Sequence, residues 1–349
     1  MFTISKGINL SHWLSQVFGW SPRPQFITEQ DIIFIKKAGF DHVRLPIDEE
    51  QMWHEDFTKN IEAFRDMHSC INWSISHGLK VVIDMHILRS HHFNNAANNE
   101  GKMTLWDSID DQNHMMDVWK VLSGELKQYS LDDVAYEFMN EPVAPKHHYW
   151  NELVARGHKT IRELEPERTI IFGPNLWQIP KFFDVFEVPS GDKNIILSFH
   201  TYDPLPFTHY KAPWIPFGGY TGPVTYPGTT IPDETLPDFL EFTKDSLIGK
   251  IAAENRVFTK ESFTEIIQPA LKFAKKMGLT LYCNEFGCLP TVNRKDRLAY
   301  YNDIITTLQN NNIAYASWDY KGDFGIRDWD KTNYTTGKTD EDLVSILTK

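Results

Sequence analysis

The chain has 349 residues with a formal net charge of −12, and 41% of its residues are hydrophobic. These values are typical of a globular protein with a large core. The acidic balance argues against nucleic acid as a partner, because phosphates need a basic surface. No apolar stretch approaches the ~20 residues that span a bilayer, so no membrane segment is predicted. The three cysteines are too few for a disulfide framework.

The first seven residues lack the long apolar region of a signal peptide. We therefore expect the protein either to be cytoplasmic or to have been secreted with its signal removed.

Eight short apolar runs with β-favouring residues predict eight strands. They cover residues 7–10, 42–47, 80–86, 134–140, 169–175, 195–201, 280–286 and 314–320. Stretches with helical spacing of apolar residues lie between most of them, at residues 28–38, 57–77, 114–129, 149–164, 261–277 and 297–310. Thr28 is the predicted N-cap of the first helix and Gly39 its end.

Alternation of strands and helices favours an α/β fold in which a parallel sheet closes into a (β/α)8 TIM barrel. We expect one catalytic domain over residues 1–349. An open doubly wound sheet is the alternative, but eight strands exceed its usual count and no G-x-G-x-x-G motif follows the first strand.

A long insertion is predicted between the sixth strand and the following helix, at about residues 203–260. It contains no clear strand, and its start is rich in Pro, Gly, Tyr and Trp. A loop of this length is usually functional or disordered, and the aromatic content favours an ordered lid or cleft wall. Candidates for cleft walls are the aromatic residues Trp214, Phe217 and Tyr220 in the insertion and Trp13, Trp20 and Trp177 outside it.

Two predicted strands end in a glutamate. The fourth leads into Asn140 and Glu141, and Pro142 stops it because proline cannot donate to a sheet ladder. The seventh leads into Glu285. Because the carboxyl ends of barrel strands converge on one site, the two carboxyl groups are expected to meet there. Such a pair suits glycoside hydrolysis, in which one group protonates the leaving oxygen and the other attacks the anomeric carbon.

Further polar and aromatic residues lie at or just beyond predicted strand ends: Arg44, His86, Asn140, Asn175, His200, Tyr202, Trp318 and Trp177. Each has an ordinary structural alternative. Arg44 could pair with a buried acid such as Asp84, the histidines could be satisfied core residues, and the aromatic residues could simply pack. Either glutamate could be half of a buried ion pair. A packed barrel core would not supply the whole set.

At these residues the chain resembles glycoside hydrolase family 5, the cellulase-like retaining enzymes of clan A, over almost its whole length. The matching segments are Gly-Ile-Asn-Leu at 7–10, His-Val-Arg-Leu-Pro at 42–46, Asp-Met-His at 84–86, Asn-Glu-Pro at 140–142, His-Thr-Tyr at 200–202, Asn-Glu-Phe-Gly at 284–287 and Ser-Trp at 317–318. The resemblance implies that Glu141 is the acid/base and Glu285 the nucleophile.

The resemblance also assigns substrate-binding roles. It implies that Arg44 and Tyr202 hold the nucleophile and that Asn140 bonds the sugar 2-hydroxyl. The other implied members of the site are His86 and His200 beside the reacting sugar and Trp318 as its floor, with Trp177 and Trp214 as further candidates. Retention of configuration, two carboxyl groups roughly 5–5.5 Å apart, and no metal or cofactor are implied as well.

One departure from the family pattern concerns the third strand. Ile87 follows His86 where many members have a second histidine, while His91 and His92 come a few residues later.

The predicted activity is endo-acting cleavage of β-1,4 linkages in cellulose or mixed-linkage glucan. β-Mannanase is the closest alternative, followed by xyloglucanase and β-1,3-glucanase activity. A polysaccharide or oligosaccharide is the expected partner, and a monomer is expected.

Two alternatives belong to other classes of protein. A metal-dependent hydrolase on this barrel would need a His-x-His pair on the first strand, where the chain has Asn9 and His12. A non-catalytic carbohydrate-binding barrel would lack one of the two carboxylates.

Overall fold

The computed structural model of the protein describes residues 2–98, 103–244 and 246–349. Within these residues the strands are β1 (Lys6–Asn9), β2 (His42–Asp48), β3 (Lys80–Ile87), β4 (Val134–Glu137), β5 (Ile170–Phe172), β6 (Ile195–His200), β7 (Gly228–Thr229), β8 (Val257–Phe258), β9 (Thr280–Glu285), β10 (Ala314–Ser317), β11 (Arg327–Asp330) and β12 (Thr335–Thr339).

The α-helices are α1 (Arg23–Phe26), α2 (Glu29–Ala38), α3 (Glu49–Met52), α4 (Ile61–Ser76), α5 (Phe93–Asn98), α6 (Ile109–Leu126), α7 (His147–Leu164), α8 (Leu205–Thr208), α9 (Leu236–Glu241), α10 (Leu247–Ala252), α11 (Lys260–Met277), α12 (Arg294–Asn310) and α13 (Glu341–Thr348). Two 3-10 helices cover Thr104–Trp106 and Pro180–Val185.

Eight of the strands form a closed barrel in the order β1-β10-β9-β6-β5-β4-β3-β2. Every neighbouring pair in it is parallel. These are the eight strands that the apolar runs predict, and the (β/α)8 barrel is confirmed. The remaining strands form two antiparallel pairs outside the barrel, β7 with β8 and β11 with β12.

Local sequence signals explain where the helices begin and end. Thr28 and Asp31 form a capping box at the start of α2, and Gly39 ends the helix in the left-handed region with φ 107°. Gly278 ends α11 in the same region with φ 65°. The connection from β5 to β6 differs from the others, because its only regular element is the 3-10 helix Pro180–Val185.

Three barrel strands end three residues earlier than the apolar runs predict. β4 stops at Glu137 instead of residue 140, and β5 and β10 also end early. The chain nonetheless stays close to the sheet after β4, because Phe138 N donates to Ile171 O and Asn140 N to Met85 O. The polar residues after β4 are therefore held at the barrel rim.

The barrel interior changes from apolar to polar along the strands. At one end Val82, Ala135 and Ile196 belong to an apolar cluster that Phe2 completes. Side chains two residues apart on a strand point to the same face. The residues two positions further along these strands, Asp84, Glu137 and Ser198, therefore also point into the barrel. All three are polar and fully buried. A polar layer thus lies on the apolar layer, on the side of the strand C-termini.

The insertion at 203–260 contains α8, α9, α10 and the β7–β8 pair; its residue 245 lies outside the described residues. It has a small apolar cluster of its own that includes Phe217, Tyr220 and Phe239. Phe217 and Tyr220 are therefore core residues of the insertion, and the expectation that they form cleft walls is wrong. Among the described helices, none combines the length and apolar character required to cross a bilayer.

Candidate active site

A cavity of about 260 Å³ opens at the C-terminal end of the barrel. We call it the catalytic cavity. Eight of the ten predicted site residues line it: Glu141, Glu285, His86, His200, Tyr202, Trp318, Trp177 and Trp214. The other two, Arg44 and Asn140, are fully buried and hydrogen-bonded to each other directly beside this lining.

The two strand-end glutamates lie close together. One carboxylate oxygen of Glu141, one of Glu285 and one ring nitrogen of His200 all lie within 4.8 Å of one another. Carboxyl groups about 5–5.5 Å apart are typical of retaining glycosidases, whereas inverting enzymes need about 6.5–9.5 Å to admit a water molecule. The separation therefore favours direct attack by one carboxylate.

Both oxygens of Glu285 are held by hydrogen bonds. Arg44 NH1 donates to Oε1 at 2.6 Å, and the Tyr202 hydroxyl donates to Oε2 at 2.9 Å. Burial raises the pKa of Glu285, and the positive charge of Arg44 opposes that shift. The carboxylate is thereby fixed in position with its negative charge compensated.

Glu141 lies in a different environment. Its backbone φ is 42°, in the left-handed region, and its amide donates to Gln178 Oε1. Its Oε1 lies 2.8 Å from Nδ1 of His200. Burial and then the charge of Glu285 raise the pKa of Glu141 well above its usual range, whereas burial lowers that of His200 well below its own. Glu141 is thus the carboxyl group that stays protonated longer as pH rises.

Arg44 connects the buried polar layer to Glu285. Its Nε and NH2 donate to the two oxygens of Glu137 at 2.7 and 2.8 Å, and NH2 lies 2.9 Å from Asp84 Oδ2. The Arg44–Asp84 ion pair expected as the structural alternative is thus present together with the Arg44–Glu285 contact.

Sequence analysis missed Glu137, Asn9 and Asn284 as supports of this network. Asn9 Oδ1 accepts from Arg44 NH1, and Asn284 Nδ2 donates to Glu137 Oε1 at 2.6 Å. For Glu137 and Asn284 the available signal was a polar side chain two residues after an apolar one that points into the barrel, Ala135 and Tyr282 respectively.

Replacing Glu137 by alanine is expected to lower the free energy of unfolding by about 3 kcal/mol or more. The change leaves the Nε and NH2 groups of a fully buried guanidinium without their bidentate partner. Denaturant unfolding monitored by tryptophan fluorescence measures this. Glu163→Ala on the exposed face of α7 is the matched control, because its pair with Lys159 is solvent-exposed and contributes little. Equal stabilities of the two variants would contradict the prediction.

His86 and Trp318 form a stacked pair at the cavity wall, with ring centroids 5.4 Å apart and planes at 6°. Burial lowers the pKa of His86 to about 3, so its ring is neutral. Nδ1 donates to Asp84 Oδ2 at 2.7 Å, and Nε2 accepts from Gln16 Nε2 at 2.9 Å. Gln16, which sequence analysis did not single out, also lines the cavity.

Two buried side-chain nitrogens of the predicted site residues, Asn140 Nδ2 and His200 Nε2, have no hydrogen-bond partner among the described residues. The Asn140 amide is oriented because its Oδ1 accepts from Arg44 NH2. Leaving a buried polar group unpaired costs about 1–3 kcal/mol. Both nitrogens are therefore available to a polar ligand such as a sugar hydroxyl.

Aromatic side chains line much of the catalytic cavity: Phe18, Phe93, Trp177, Trp214, Trp318 and Phe324. Trp13 and Trp20 are not among them. Trp13 is 1% exposed and its Nε1 donates to Arg23 O, and Trp20 stacks on Phe18. The expectation that these two residues form cleft walls is therefore wrong for this cavity.

His91 and Asn175 have structural contacts to the segment after Glu141. His91 Nε2 accepts from Val143 N, and Asn175 bonds both the N and O of Ala144. Neither residue lines the catalytic cavity, and neither does His92.

Among the His, Cys, Asp and Glu side chains in the described ranges, Glu141, His200 and Glu285 form the one group of three or more that is close enough together to share a metal ion. The guanidinium of Arg44 lies 2.6 Å from Glu285. A second positive charge at the same carboxylate would be repelled, so the trio is poorly suited to a cation.

Comparisons with known proteins identify the family of this chain. The family model described as cellulase (glycosyl hydrolase family 5) matches residues 4–324. Endoglucanase C of Acetivibrio thermocellus is 31% identical over 362 residues, which covers 100% of this chain and 99% of that protein.

Two solved structures of Thermotoga maritima Cel5A, one in complex with cellobiose and one with mannotriose, are similar in fold. Each has a TM-score of 0.74 and 22% identity, and covers 99% of this chain and 97% of its own. The extent of the family match and the identity to Endoglucanase C show that the protein belongs to glycosyl hydrolase family 5.

Proposed function

We propose that the protein is a retaining, endo-acting glycoside hydrolase that cleaves β-1,4 linkages in cellulose or mixed-linkage β-glucan. The observation that best supports this proposal is the pair of buried carboxyl groups within 4.8 Å. One of them, Glu285, is compensated by Arg44, while no Arg or Lys side chain of the described residues contacts the other, Glu141.

The contrast between the two environments supports the following roles in a double displacement. Protonated Glu141 donates its proton to the glycosidic oxygen as the bond to the anomeric carbon breaks. Glu285 attacks that carbon and forms a glycosyl ester. In the second step Glu141, now a carboxylate, takes a proton from water, whose oxygen attacks the anomeric carbon and releases Glu285.

The remaining site residues are proposed to hold the reacting sugar. Asn140 Nδ2 would donate to the 2-hydroxyl beside Glu285, and His200 Nε2 would bond another hydroxyl. Both ring nitrogens of His86 are already bonded, to Asp84 and Gln16, so its ring would contact the sugar as part of the cavity wall. Trp318 presents a flat ring on which a pyranose can stack. Trp177 and Trp214 would contact neighbouring sugar units along the cleft.

The choice of β-glucan rests on Endoglucanase C, a relative that matches over the whole chain. A β-mannan is the second candidate substrate, because the fold relative Cel5A has been solved in complex with mannotriose.

We also propose that residues 1–349 act as one catalytic domain and as a monomer. The C-terminal α13 supports the first point, because Leu347 O accepts from Tyr315 OH on barrel strand β10 and Thr348 O from Lys6 Nζ on β1.

A substrate panel tests the proposed function. Reducing-end release is measured on carboxymethyl-cellulose, barley β-glucan, xyloglucan, glucomannan, galactomannan and laminarin. We expect the first two to be cleaved fastest, with a rapid fall in viscosity that marks endo action. Faster cleavage of galactomannan would replace the proposed substrate by mannan. Binding of these glycans without release of reducing ends would contradict the enzymatic role.

A further inference from the structure

A second cavity of about 360 Å³ lies next to the catalytic cavity. It is bounded by α10 and the start of α8 in the insertion, by the 3-10 helix Pro180–Val185 and by α11. The two cavities share four lining residues, Ile179, Asp203, Leu205 and Ile251. They are therefore adjacent spaces on the same side of the barrel rim.

The second cavity extends from the side of the catalytic cavity opposite the stacked pair His86–Trp318. That pair lies on β3 and just after β10, whereas the shared residues follow β5 and β6 or belong to the insertion. The proposed subsite of the reacting sugar is at the stacked pair. The space beside the loops after β5 and β6 is therefore left for the leaving group.

Glu141 lies near the same wall. The chain after it contacts the β5 loop, because Trp177 N donates to Pro142 O at 3.3 Å. Ile179 follows two residues later. An acid that protonates the leaving oxygen must face the leaving group, so a leaving sugar chain would run from Glu141 along Trp177 and Ile179.

The second cavity also contains an unsatisfied polar group. Thr230 is 2% exposed, lines this cavity but not the catalytic one, and its hydroxyl has no hydrogen-bond partner among the described residues. A buried hydroxyl without a partner is costly unless a ligand or water satisfies it.

The rest of the lining is amphipathic. Phe258 and Ile251 provide apolar contacts, while Lys181, Glu254 and Arg256 are exposed polar residues of the lining. Charges of both signs and apolar side chains together suit a neutral, hydroxyl-rich ligand with apolar ring faces.

We infer that the second cavity binds the sugar units of the leaving group beyond the first, with Thr230 as one of its hydrogen-bonding residues. This inference rests on the proposed function. If the second cavity binds these sugar units, the insertion helps to determine which bond of a glucan chain is cleaved. Occupation of both cavities favours cleavage of bonds that have at least two sugar units on the leaving side.

The test compares two substrates with Thr230→Val, which removes the hydroxyl at nearly constant volume. Cellopentaose can occupy both cavities, whereas the single-ring leaving group of an aryl β-cellobioside occupies only the first. We expect kcat/KM for cellopentaose to fall by about three- to ten-fold, the effect of one lost hydrogen bond. Cleavage of reducing-end-labelled cellopentaose should shift toward bonds with one sugar on the leaving side. The aryl cellobioside should be hydrolysed as by the wild type.

Thr243→Val is the matched control, because Thr243 is buried in the same insertion but lines neither cavity. Ala252→Leu, which adds bulk to the second cavity alone, should reproduce the effect of Thr230→Val. Unchanged cellopentaose kinetics in both cavity variants would overturn the inference while leaving the proposed function intact. Equal losses on both substrates would also overturn it. Wild-type enzyme that hydrolyses neither substrate would refute the proposed function, and the inference with it.

Discussion

Glu285→Ala is expected to lower kcat on β-glucan by about 10⁴-fold or more, because no other group can form the glycosyl ester. Glu285 is the carboxylate that Arg44 and Tyr202 hold on both oxygens, and alanine leaves those donors facing an empty space. The folded structure should persist, which circular dichroism and the unfolding temperature would verify. Glu163→Ala on α7 serves as the control and should hydrolyse β-glucan like the wild type.

Azide gives this prediction a stereochemical readout. With a dinitrophenyl β-cellobioside, whose leaving group needs no proton, azide can enter the space vacated in Glu285→Ala and attack the anomeric carbon directly. We expect partial recovery of the rate and an α-cellobiosyl azide, identified by proton NMR. Undiminished activity of the variant without azide would show that Glu285 is not the nucleophile.

Glu141→Ala is the second large effect. Loss of a general acid costs about 10²–10⁴-fold, and we expect this loss on β-glucan, whose leaving oxygen requires a proton. On the dinitrophenyl cellobioside, formation of the glycosyl ester should be nearly unaffected, and azide should now yield the β-cellobiosyl azide. An equal loss of ester formation on both substrates would contradict the acid role.

The pH profile follows from the two environments. Glu141 must be protonated for the first step, and burial together with the charge of Glu285 raises its pKa well above the usual range. Wild-type activity should therefore persist above the pH range in which unperturbed carboxyl groups ionise, and it should fall as pH rises through the raised pKa of Glu141. Because Glu285 must be ionised, activity should also fall as pH decreases through the pKa of Glu285. With the dinitrophenyl substrate, the alkaline fall should disappear in Glu141→Ala.

Particular residues show which parts of the site were predictable. Glu141, Glu285, His200 and Tyr202 follow apolar runs of alternating or β-favouring character, and the rule that barrel strand ends converge brings them together. Eight of the ten predicted residues line one cavity as a result. The roles of the aromatic residues were harder to predict. Trp177 and Trp214 line the cavity, whereas Phe217 and Tyr220 pack inside the insertion. Composition alone does not tell which face of an irregular loop is buried.

The sequence by itself determined the barrel, because strand periodicity, helix caps and the polar strand ends are local signals within each segment. It also determined which two carboxyl groups meet. The family resemblance implied that the two differ in role, and only the tertiary structure decided the full set of buried charges that makes their environments different. Arg44 contacts Glu137, Asp84 and Glu285, which are three acids far apart in sequence. The negative charge of Glu285 in turn helps to raise the pKa of buried Glu141. A pKa depends on burial and on charges within a few ångströms, and those neighbours exist only once the barrel has closed. The second cavity has the same origin, since Ile179, Thr230 and Ile251 come together only when the insertion folds against the barrel.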